Sequence, residues 1–260
     1  MSKIIFYDVD GTLFRHDIRV PASAANAVQQ CADHGHYNIL CTGRNFSIVP
    51  EEVRALPMQG MVMGCGTYVT IGEQVLEDAA VTGPDCRTVI ELLYDHKCPF
   101  YVENSDFFYV DTEYVPPVFQ GAVSSMKRNY PRYMKHISEL PERLSKITGY
   151  PEDRSALLSL KKELSPWFDV LIHEEYVYIE ILLKGYSKGT GVKKIVDALG
   201  AKMEDTYGFG DSMNDLPMLE TVAHGIVMGE ATEELKKRFT VTDSLYADGI
   251  ANGLKRAGLI

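Results

Sequence analysis

The composition of this 260-residue chain is that of a globular protein, with 45% hydrophobic and 24% charged residues. Its formal net charge of −10 argues against a nucleic-acid backbone or an anionic membrane surface as the main partner. A small anionic substrate is compatible with this charge only where a lysine, an arginine or a bound metal offsets it locally.

The five cysteines include no C-x-x-C pair and are odd in number, which is typical of reduced structural cysteines in a cytosolic protein. Asp8 and Asp10 interrupt the only apolar stretch near the first residue, so we expect no signal peptide. No uncharged apolar run reaches about 18 residues, so we predict no membrane span. We therefore expect a cytoplasmic protein, either a monomer or a small homo-oligomer.

The first eighty residues alternate short apolar runs with helical patterns, as a parallel sheet covered by helices requires. We predict strands over the segments KIIFY, YNILC and GMVMG. A helix is expected from Pro21, which suits a first turn, to just before Gly35, which suits a helix stop. The segment TYVTIGEQVLE, with Gly72 at its centre, predicts a hairpin.

The pattern changes between about Gly83 and Leu183, where aromatic-rich runs such as FFYVDT and YVYIEILL alternate with helical segments. We expect a small α/β domain here, with the Glu174-Glu175 pair at a hairpin turn. The first pattern resumes at Gly185 with a predicted helix, a strand TYGFG and further strands and helices. The predicted division is therefore a core (residues 1–82 and 185–260) interrupted by an insert (residues 83–184).

Four polar clusters fall at or near the ends of predicted strands or at a helix start. Open parallel α/β sheets bind ligands at the carboxyl ends of their strands. Each cluster alone has an ordinary explanation as a turn or a helix cap. The clusters are Asp8-Val9-Asp10-Gly11-Thr12, Thr42-Gly43-Arg44, Ser187-Lys188-Gly189 and Gly210-Asp211-Ser212-Met213-Asn214-Asp215.

Taken together and in this order, the clusters resemble the four motifs of the haloacid dehalogenase superfamily, in the branch of Cof-type phosphatases (subfamily IIB). The resemblance extends over nearly the whole chain. It implies an α/β fold, with a Rossmannoid parallel-sheet core and an inserted α/β cap of the C2B type. One departure is Cys65-Gly66-Thr67, where the family often carries Asn-Gly-Ala. This departure predicts an altered polar contact near the entrance to the site and leaves the reaction type unchanged.

The resemblance also implies a role for each matching residue. Asp8 is the expected nucleophile, which forms an aspartyl-phosphate, and Asp10 is the expected acid and base. Thr42, Gly43, Lys188 and Asn214 are expected to bind the phosphate, and Asp215 to support them. Mg²⁺ is the expected cofactor, held by the side chains of Asp8 and Asp211 and by the main-chain carbonyl of Asp10.

Elementary electrostatics also predicts a bound metal ion and a shifted pKa for Asp10. Asp8, Asp211 and a phosphate dianion would repel by about 4 kcal/mol for each pair of unit charges some 4 Å apart, so a cation is required. Hard oxygen ligands suit Mg²⁺. Neighbouring carboxylates and an incoming phosphate predict a raised pKa for Asp10. Arg44 is a weaker candidate, equally compatible with an exposed position.

The expected function is hydrolysis of a small phosphorylated metabolite, such as a sugar phosphate or a similar monoester. A phosphomutase of the same superfamily is the alternative, and a phospho-acceptor regulatory module is disfavoured because such modules lack the second acid and the insert. The aromatic residues of the insert are more typical of a core than of a substrate site. They are Tyr101, Phe107, Phe108, Tyr109, Tyr176 and Tyr178.

Overall fold

The computed structural model describes residues 2–139, 142–151, 153–173 and 178–260. The chain forms two compact units. The core unit comprises Met1–Arg44, Val49–Asp78 and Tyr186–Ile260, and the insert unit comprises Asn45–Ile48 and Ala79–Gly185. The predicted turn at Glu174-Glu175 and the aromatic residue Tyr176 lie outside the described residues.

The first part of the core unit has the strands and the helix that the sequence predicts, including the hairpin around Gly72, whose φ is +54°. Its elements are β1 (Ile4–Tyr7), α1 (Ala22–Asp33), β2 (Tyr37–Cys41), α2 (Glu51–Arg54), β3 (Gly60–Met63), β4 (Tyr68–Ile71) and β5 (Gln74–Asp78).

The insert unit is a second α/β structure. Its elements are β6 (Val81–Thr82), α3 (Pro84–Asp95), β7 (Phe100–Glu103), β8 (Phe108–Val110), α4 (Pro117–Asn129), β9 (Met134–His136), β10 (Arg143–Leu144), β11 (Lys146–Gly149), α5 (Arg154–Leu164), β12 (Phe168–His173) and β13 (Tyr178–Leu183). These strands form a six-stranded sheet in the order β12-β13-β11-β7-β8-β9 and a two-stranded pair of β10 with β6. The segment Asn45–Ile48 belongs to this unit, although the sequence-based division does not assign it there.

The second part of the core unit contributes α6 (Lys188–Ala198), β14 (Thr206–Gly210), α7 (Leu216–Thr221), β15 (His224–Val227), α8 (Glu233–Lys236), β16 (Thr240–Val241) and α9 (Gly249–Arg256). It completes an eight-stranded sheet in the order β16-β15-β14-β1-β2-β3-β4-β5. The six strands from β16 to β3 in this order run parallel, whereas β4 pairs antiparallel with β3 and β5 pairs antiparallel with β4.

Both faces of the central strand β1 are covered, which explains its uninterrupted apolar sequence. Ile4 and Phe6 belong to the hydrophobic cluster that α6 and α7 join. Tyr7 points to the opposite face, where its hydroxyl lies 3.8 Å from the thiol of Cys31 on α1. This arrangement confirms the predicted α/β fold with a parallel-sheet core. In the described part of the chain, no helix is long and apolar enough to cross a bilayer.

Candidate active site

The candidate site begins where three neighbouring parallel strands end. Strand β1 lies between β2 and β14, and Asp8, Thr42 and Asp211 directly follow these three strands. Because the carboxyl ends of parallel strands meet at one edge of a sheet, the three residues share that edge. Chain order also reverses around β1, and such a switch point is where open α/β sheets bind ligands.

Lys188 supplies a buried positive charge to this edge. Its side chain is 0% exposed, and its Nζ lies 2.6 Å from Oδ1 of Asp8, 2.5 Å from Oδ1 of Asp215 and 3.3 Å from Oδ1 of Asn214. Burial opposes the ammonium charge, but the carboxylates of Asp215 and Asp8 raise the pKa of Lys188 well above its usual value. Lys188 is therefore a fixed cation in the folded protein.

The start of α6 explains the position of Lys188. Ser187 caps this helix, and a reciprocal pair of hydrogen bonds with Thr190 forms a capping box. The cap fixes the first turn, in which Lys188 is the first helical residue. The N-terminus of an α-helix generally favours negative charge, because its first backbone N–H groups have no partner within the helix.

Asp215 is held entirely by protein donors. Its Oδ1 accepts from Lys188, while its Oδ2 accepts from the backbone N–H groups of Asp211 at 2.9 Å and Ser212 at 3.0 Å. Both carboxylate oxygens are thus occupied. The geometry suits Asp215 for orienting its neighbours rather than for binding a metal ion.

Three carboxylates crowd around this single ammonium. One oxygen from each of Asp8, Asp211 and Asp215 lies within 4.8 Å of the other two. Burial first, and then the charge of Asp215, raise the pKa of Asp8 well above its usual range and that of Asp211 to about 7. Lys188 offsets only part of this negative charge.

The donor set fits a hard cation. Carboxylate oxygens are the ligands that Mg²⁺ prefers, and an excess of buried negative charge favours a divalent ion. Since Asp215 is occupied by protein donors, Asp8 and Asp211 are the carboxylates of this cluster that could hold such an ion. The side chain of Asp10 does not join this cluster, so any contribution from Asp10 would come from its main-chain carbonyl.

Gly11 allows Asp211 to approach the loop after β1. Its φ is +79°, and a Cβ atom added there would lie 2.2 Å from Oδ2 of Asp211. Any side chain at position 11 would therefore displace this carboxylate. The hydroxyl of Thr12 donates to Oδ1 of the same group at 3.3 Å. Gly11 and Thr12 thus help to position the carboxylate of Asp211, which is distant in the sequence.

Arg44 contacts Asp10 directly, which the sequence did not reveal. Its Nε and one terminal nitrogen lie 2.7 Å from the two carboxylate oxygens, and the Arg44 and Asp10 side chains are 17% and 54% exposed. Burial alone would raise the pKa of Asp10, but the guanidinium outweighs it and lowers the pKa below its ordinary value. The expectation of a raised pKa for Asp10 is therefore wrong for the substrate-free protein, because the bidentate arginine was not foreseen.

The remaining predicted residues surround these groups. The hydroxyl of Thr42 accepts from the backbone N–H of Arg44 at 3.1 Å, and Gly43 lies between them. Asn214 accepts from Lys188 and, at 2.8 Å, from the hydroxyl of Ser212. Cys65 is only 2% exposed, and the altered polar contact expected from Cys65-Gly66-Thr67 stays a prediction.

Comparison with known proteins decides the family. Residues 5–254 match the family model described as haloacid dehalogenase-like hydrolase. The chain belongs to this family. The resemblance drawn from the motifs is thereby confirmed.

Relatives of this haloacid dehalogenase-like hydrolase match it over nearly its whole length. YkrA of Bacillus subtilis is 29% identical, over 100% of this chain and 99% of its own. The 5-amino-6-(5-phospho-D-ribitylamino)uracil phosphatase YwtE of the same organism is 26% identical, over 96% of each chain. The solved structure of BT1666 from Bacteroides thetaiotaomicron, a phosphatase of the same superfamily, has a TM-score of 0.84 at 25% identity and covers 100% of this chain and 96% of its own. The chain is accordingly an enzyme of the phosphatase branch.

The raised pKa of Asp211 predicts a pH-dependent stability. Between the ordinary value of 3.8 and the folded-state value of about 7, the folded protein keeps a proton that the unfolded chain has released. Without metal, the free energy of unfolding should therefore fall as pH rises through this window. From pH 5 to pH 8 we expect a loss of about 2 to 3 kcal/mol relative to the Asp211→Asn variant, measured by urea unfolding.

The variant is the control because its amide does not titrate, so titrating groups distant from Asp211 cancel in the comparison. A divalent ion that binds the ionised carboxylate should raise the melting temperature more at pH 8 than at pH 5. Parallel pH profiles for the two proteins would contradict the assignment of the shifted pKa to Asp211.

Proposed function

We propose that this hydrolase is a Mg²⁺-dependent phosphatase that hydrolyses a small phosphorylated metabolite, such as a sugar phosphate or similar monoester, through an aspartyl-phosphate. The observation that supports this proposal is the buried group of Asp8, Lys188, Asp211 and Asp215 at the carboxyl edge of the sheet. The group combines a carboxylate nucleophile, a fixed ammonium and free carboxylate oxygens for a cation.

In the first step Asp8 attacks phosphorus. A bond forms between a carboxylate oxygen of Asp8 and phosphorus, and the bond from phosphorus to the leaving alcohol breaks. Asp10 gives its proton to the departing oxygen. Lys188 and the N–H groups at the start of α6 stabilise the charge on the phosphoryl oxygens, helped by Thr42, Gly43 and Asn214.

In the second step water attacks the aspartyl-phosphate. Asp10 takes a proton from the water, the bond between Asp8 and phosphorus breaks, and inorganic phosphate leaves. Both aspartates then return to their starting states. Splitting the reaction in this way replaces one difficult displacement with two easier ones.

Arg44 links substrate binding to the proton on Asp10. A phosphate dianion offers the guanidinium a second bidentate acceptor, so its arrival weakens the pair between Arg44 and Asp10. The carboxyl group then loses the contact that lowers its pKa and gains a negative neighbour, and both changes favour its protonation. In this way Asp10 becomes an acid when there is a leaving group to protonate.

Asp8, Asp211 and the Asp10 carbonyl would hold Mg²⁺, which supplies positive charge against the phosphate dianion and the developing charge of the transition state. Asp215 would keep Lys188 and the backbone of Asp211 in place. The relative YwtE, named for action on a phosphorylated ribitylamino-uracil, supports a small phosphorylated metabolite as the substrate class.

Release of inorganic phosphate from a panel of phosphorylated metabolites tests the proposal. With Mg²⁺ we expect turnover of at least one monoester, and with excess EDTA a loss of activity of about a hundredfold or more, restored by added Mg²⁺. Heat-treated protein and Ca²⁺ in place of Mg²⁺ are the controls. Transfer of phosphate within a sugar without free phosphate would indicate the mutase instead, and undiminished release in EDTA would contradict the metal requirement.

A further inference from the structure

Two donors fix the orientation of the side-chain amide of Asn214. Its Oδ1 lies 3.3 Å from Nζ of Lys188 and accepts from the hydroxyl of Ser212 at 2.8 Å. An ammonium group has donors and no acceptor, so the amide atom beside Lys188 is the oxygen. The two N–H groups of the Asn214 side chain therefore lie on the other branch of the amide, as donors directed away from Lys188.

The hydroxyl proton of Ser212 has a defined direction. Ser212 caps the single helical turn Met213–Asp215, where its Oγ accepts from the backbone N–H of Asp215. The proton of the same hydroxyl is then left for an acceptor. Oδ1 of Asn214 lies 2.8 Å away and Oδ2 of Asp215 lies 3.4 Å away, and this Oδ2 already accepts from two backbone N–H groups. The Ser212 hydroxyl therefore donates to Asn214.

Lys188 alone would hold the amide weakly. Its Nζ lies 2.6 Å from Asp8 and 2.5 Å from Asp215, but 3.3 Å from Asn214. Its short, charge-assisted bonds thus go to the carboxylates, and the bond from Ser212 is the shorter of the two that hold the amide. Without the Ser212 hydroxyl, the half-buried Asn214 side chain would keep only the longer bond.

We propose that Ser212 is a positioning residue, whose hydroxyl holds the amide of Asn214 so that its N–H groups face the phosphoryl oxygens. This inference rests on the proposed function, in which Asn214 binds the phosphate. Ser212 acts on the reaction only through Asn214. A donor that is oriented before the substrate arrives needs no reorganisation during the reaction, so it stabilises the transition state more effectively.

The test is a double-mutant cycle on Ser212→Ala, Asn214→Ala and the doubly substituted protein. Two quantities are measured: kcat/KM for an ester that the wild type hydrolyses, and the Kd of inorganic phosphate with Mg²⁺, by calorimetry. Ser212→Ala should lower kcat/KM about fivefold or more and raise the Kd about threefold or more. In the Asn214→Ala background the same substitution should change either quantity less than about twofold, because no amide is left to hold.

Ser212→Thr and Ser244→Ala are the controls. Threonine keeps the hydroxyl, so Ser212→Thr should retain at least about half of the wild-type kcat/KM. Ser244 is another half-buried serine of the core unit, and its Oγ accepts from the backbone N–H of Tyr246 at 3.0 Å. Ser244→Ala thus removes a cap of the same kind and should leave both quantities unchanged. If thermal melts show that Ser212→Ala does not fold, Ser212→Gly takes its place, since glycine is tolerated at helix caps.

Two outcomes would overturn the inference. Equal effects of Ser212→Ala in both backgrounds would mean that Ser212 acts on the local fold and not through Asn214. Unchanged values would mean that Lys188 alone holds the amide. A wild type that hydrolyses no ester, but shows the expected cycle in the Kd of phosphate, would contradict the proposed function and support the inference. A wild type that neither binds phosphate nor hydrolyses an ester would contradict both.

Discussion

Replacing Asp8 with asparagine should lower phosphate release by at least about a thousandfold, because the amide has the shape of the carboxylate but cannot act as the nucleophile. The buried site should tolerate the change. The neutral amide relieves the repulsion that Asp8 experiences from Asp215 and Asp211, so we expect no loss of thermal stability. Phosphate release at saturating substrate and Mg²⁺, together with a thermal melt, measures both effects.

Asp33→Asn is the matched control, since Asp33 is an exposed aspartate on α1 of the same unit. Its activity should equal that of the wild type. If Asp8→Asn kept more than about a tenth of the activity, with the substrate panel and Mg²⁺ unchanged, the aspartyl-phosphate route would be wrong.

Replacing Lys188 with methionine should both inactivate and destabilise the enzyme. Lys188 lies between Asp8 and Asp215 with no exposed surface, so its removal leaves buried carboxylates without their cation. Breaking a buried ion pair in this way costs about 3 to 5 kcal/mol of unfolding free energy. Urea unfolding of the metal-free protein at pH 8, where the carboxylates are most ionised, should show the largest effect.

The control for this substitution is Lys193→Met, because Lys193 is exposed on the same helix. Its unfolding free energy should change by less than about 0.5 kcal/mol. A similar small change for Lys188→Met would show that the carboxylates do not depend on the ammonium. Added Mg²⁺ should recover part of the stability lost by Lys188→Met, since both cations offset the same charges.

Much of the fold is predictable from the sequence because of how its strands are buried. Strands covered on both faces, such as β1, require uninterrupted apolar residues, and these runs stand out in the sequence. Helix α9 was not predicted, because glycines such as Gly249 and Gly253 disfavour a helix. The structure explains them: a Cβ atom at Gly253 would lie 2.6 Å from the ring of Phe209, and one at Gly249 would lie 2.2 Å from a backbone oxygen.

In the candidate site, too, the sequence predicts some features and not others. Residues that follow parallel strands, such as Asp8 and Asp211, could be grouped in advance because their strand ends share one edge. The bidentate contact between Arg44 and Asp10 depends on side-chain conformations, which the spacing of residues in the sequence does not predict.

The chain enters the insert unit twice, first as the four residues Asn45–Ile48 and later as Ala79–Gly185. Ile48 is buried in a cluster with Phe119 and Val123 of α4, and Phe46 meets the ring of Tyr133 edge-on. Exchanging only Ala79–Gly185 with the matching segment of a relative would therefore separate Phe46 and Ile48 from their packing partners. A chimaera that transfers both segments together keeps the apolar cluster intact, so the unit of recombination in this protein is discontinuous in sequence.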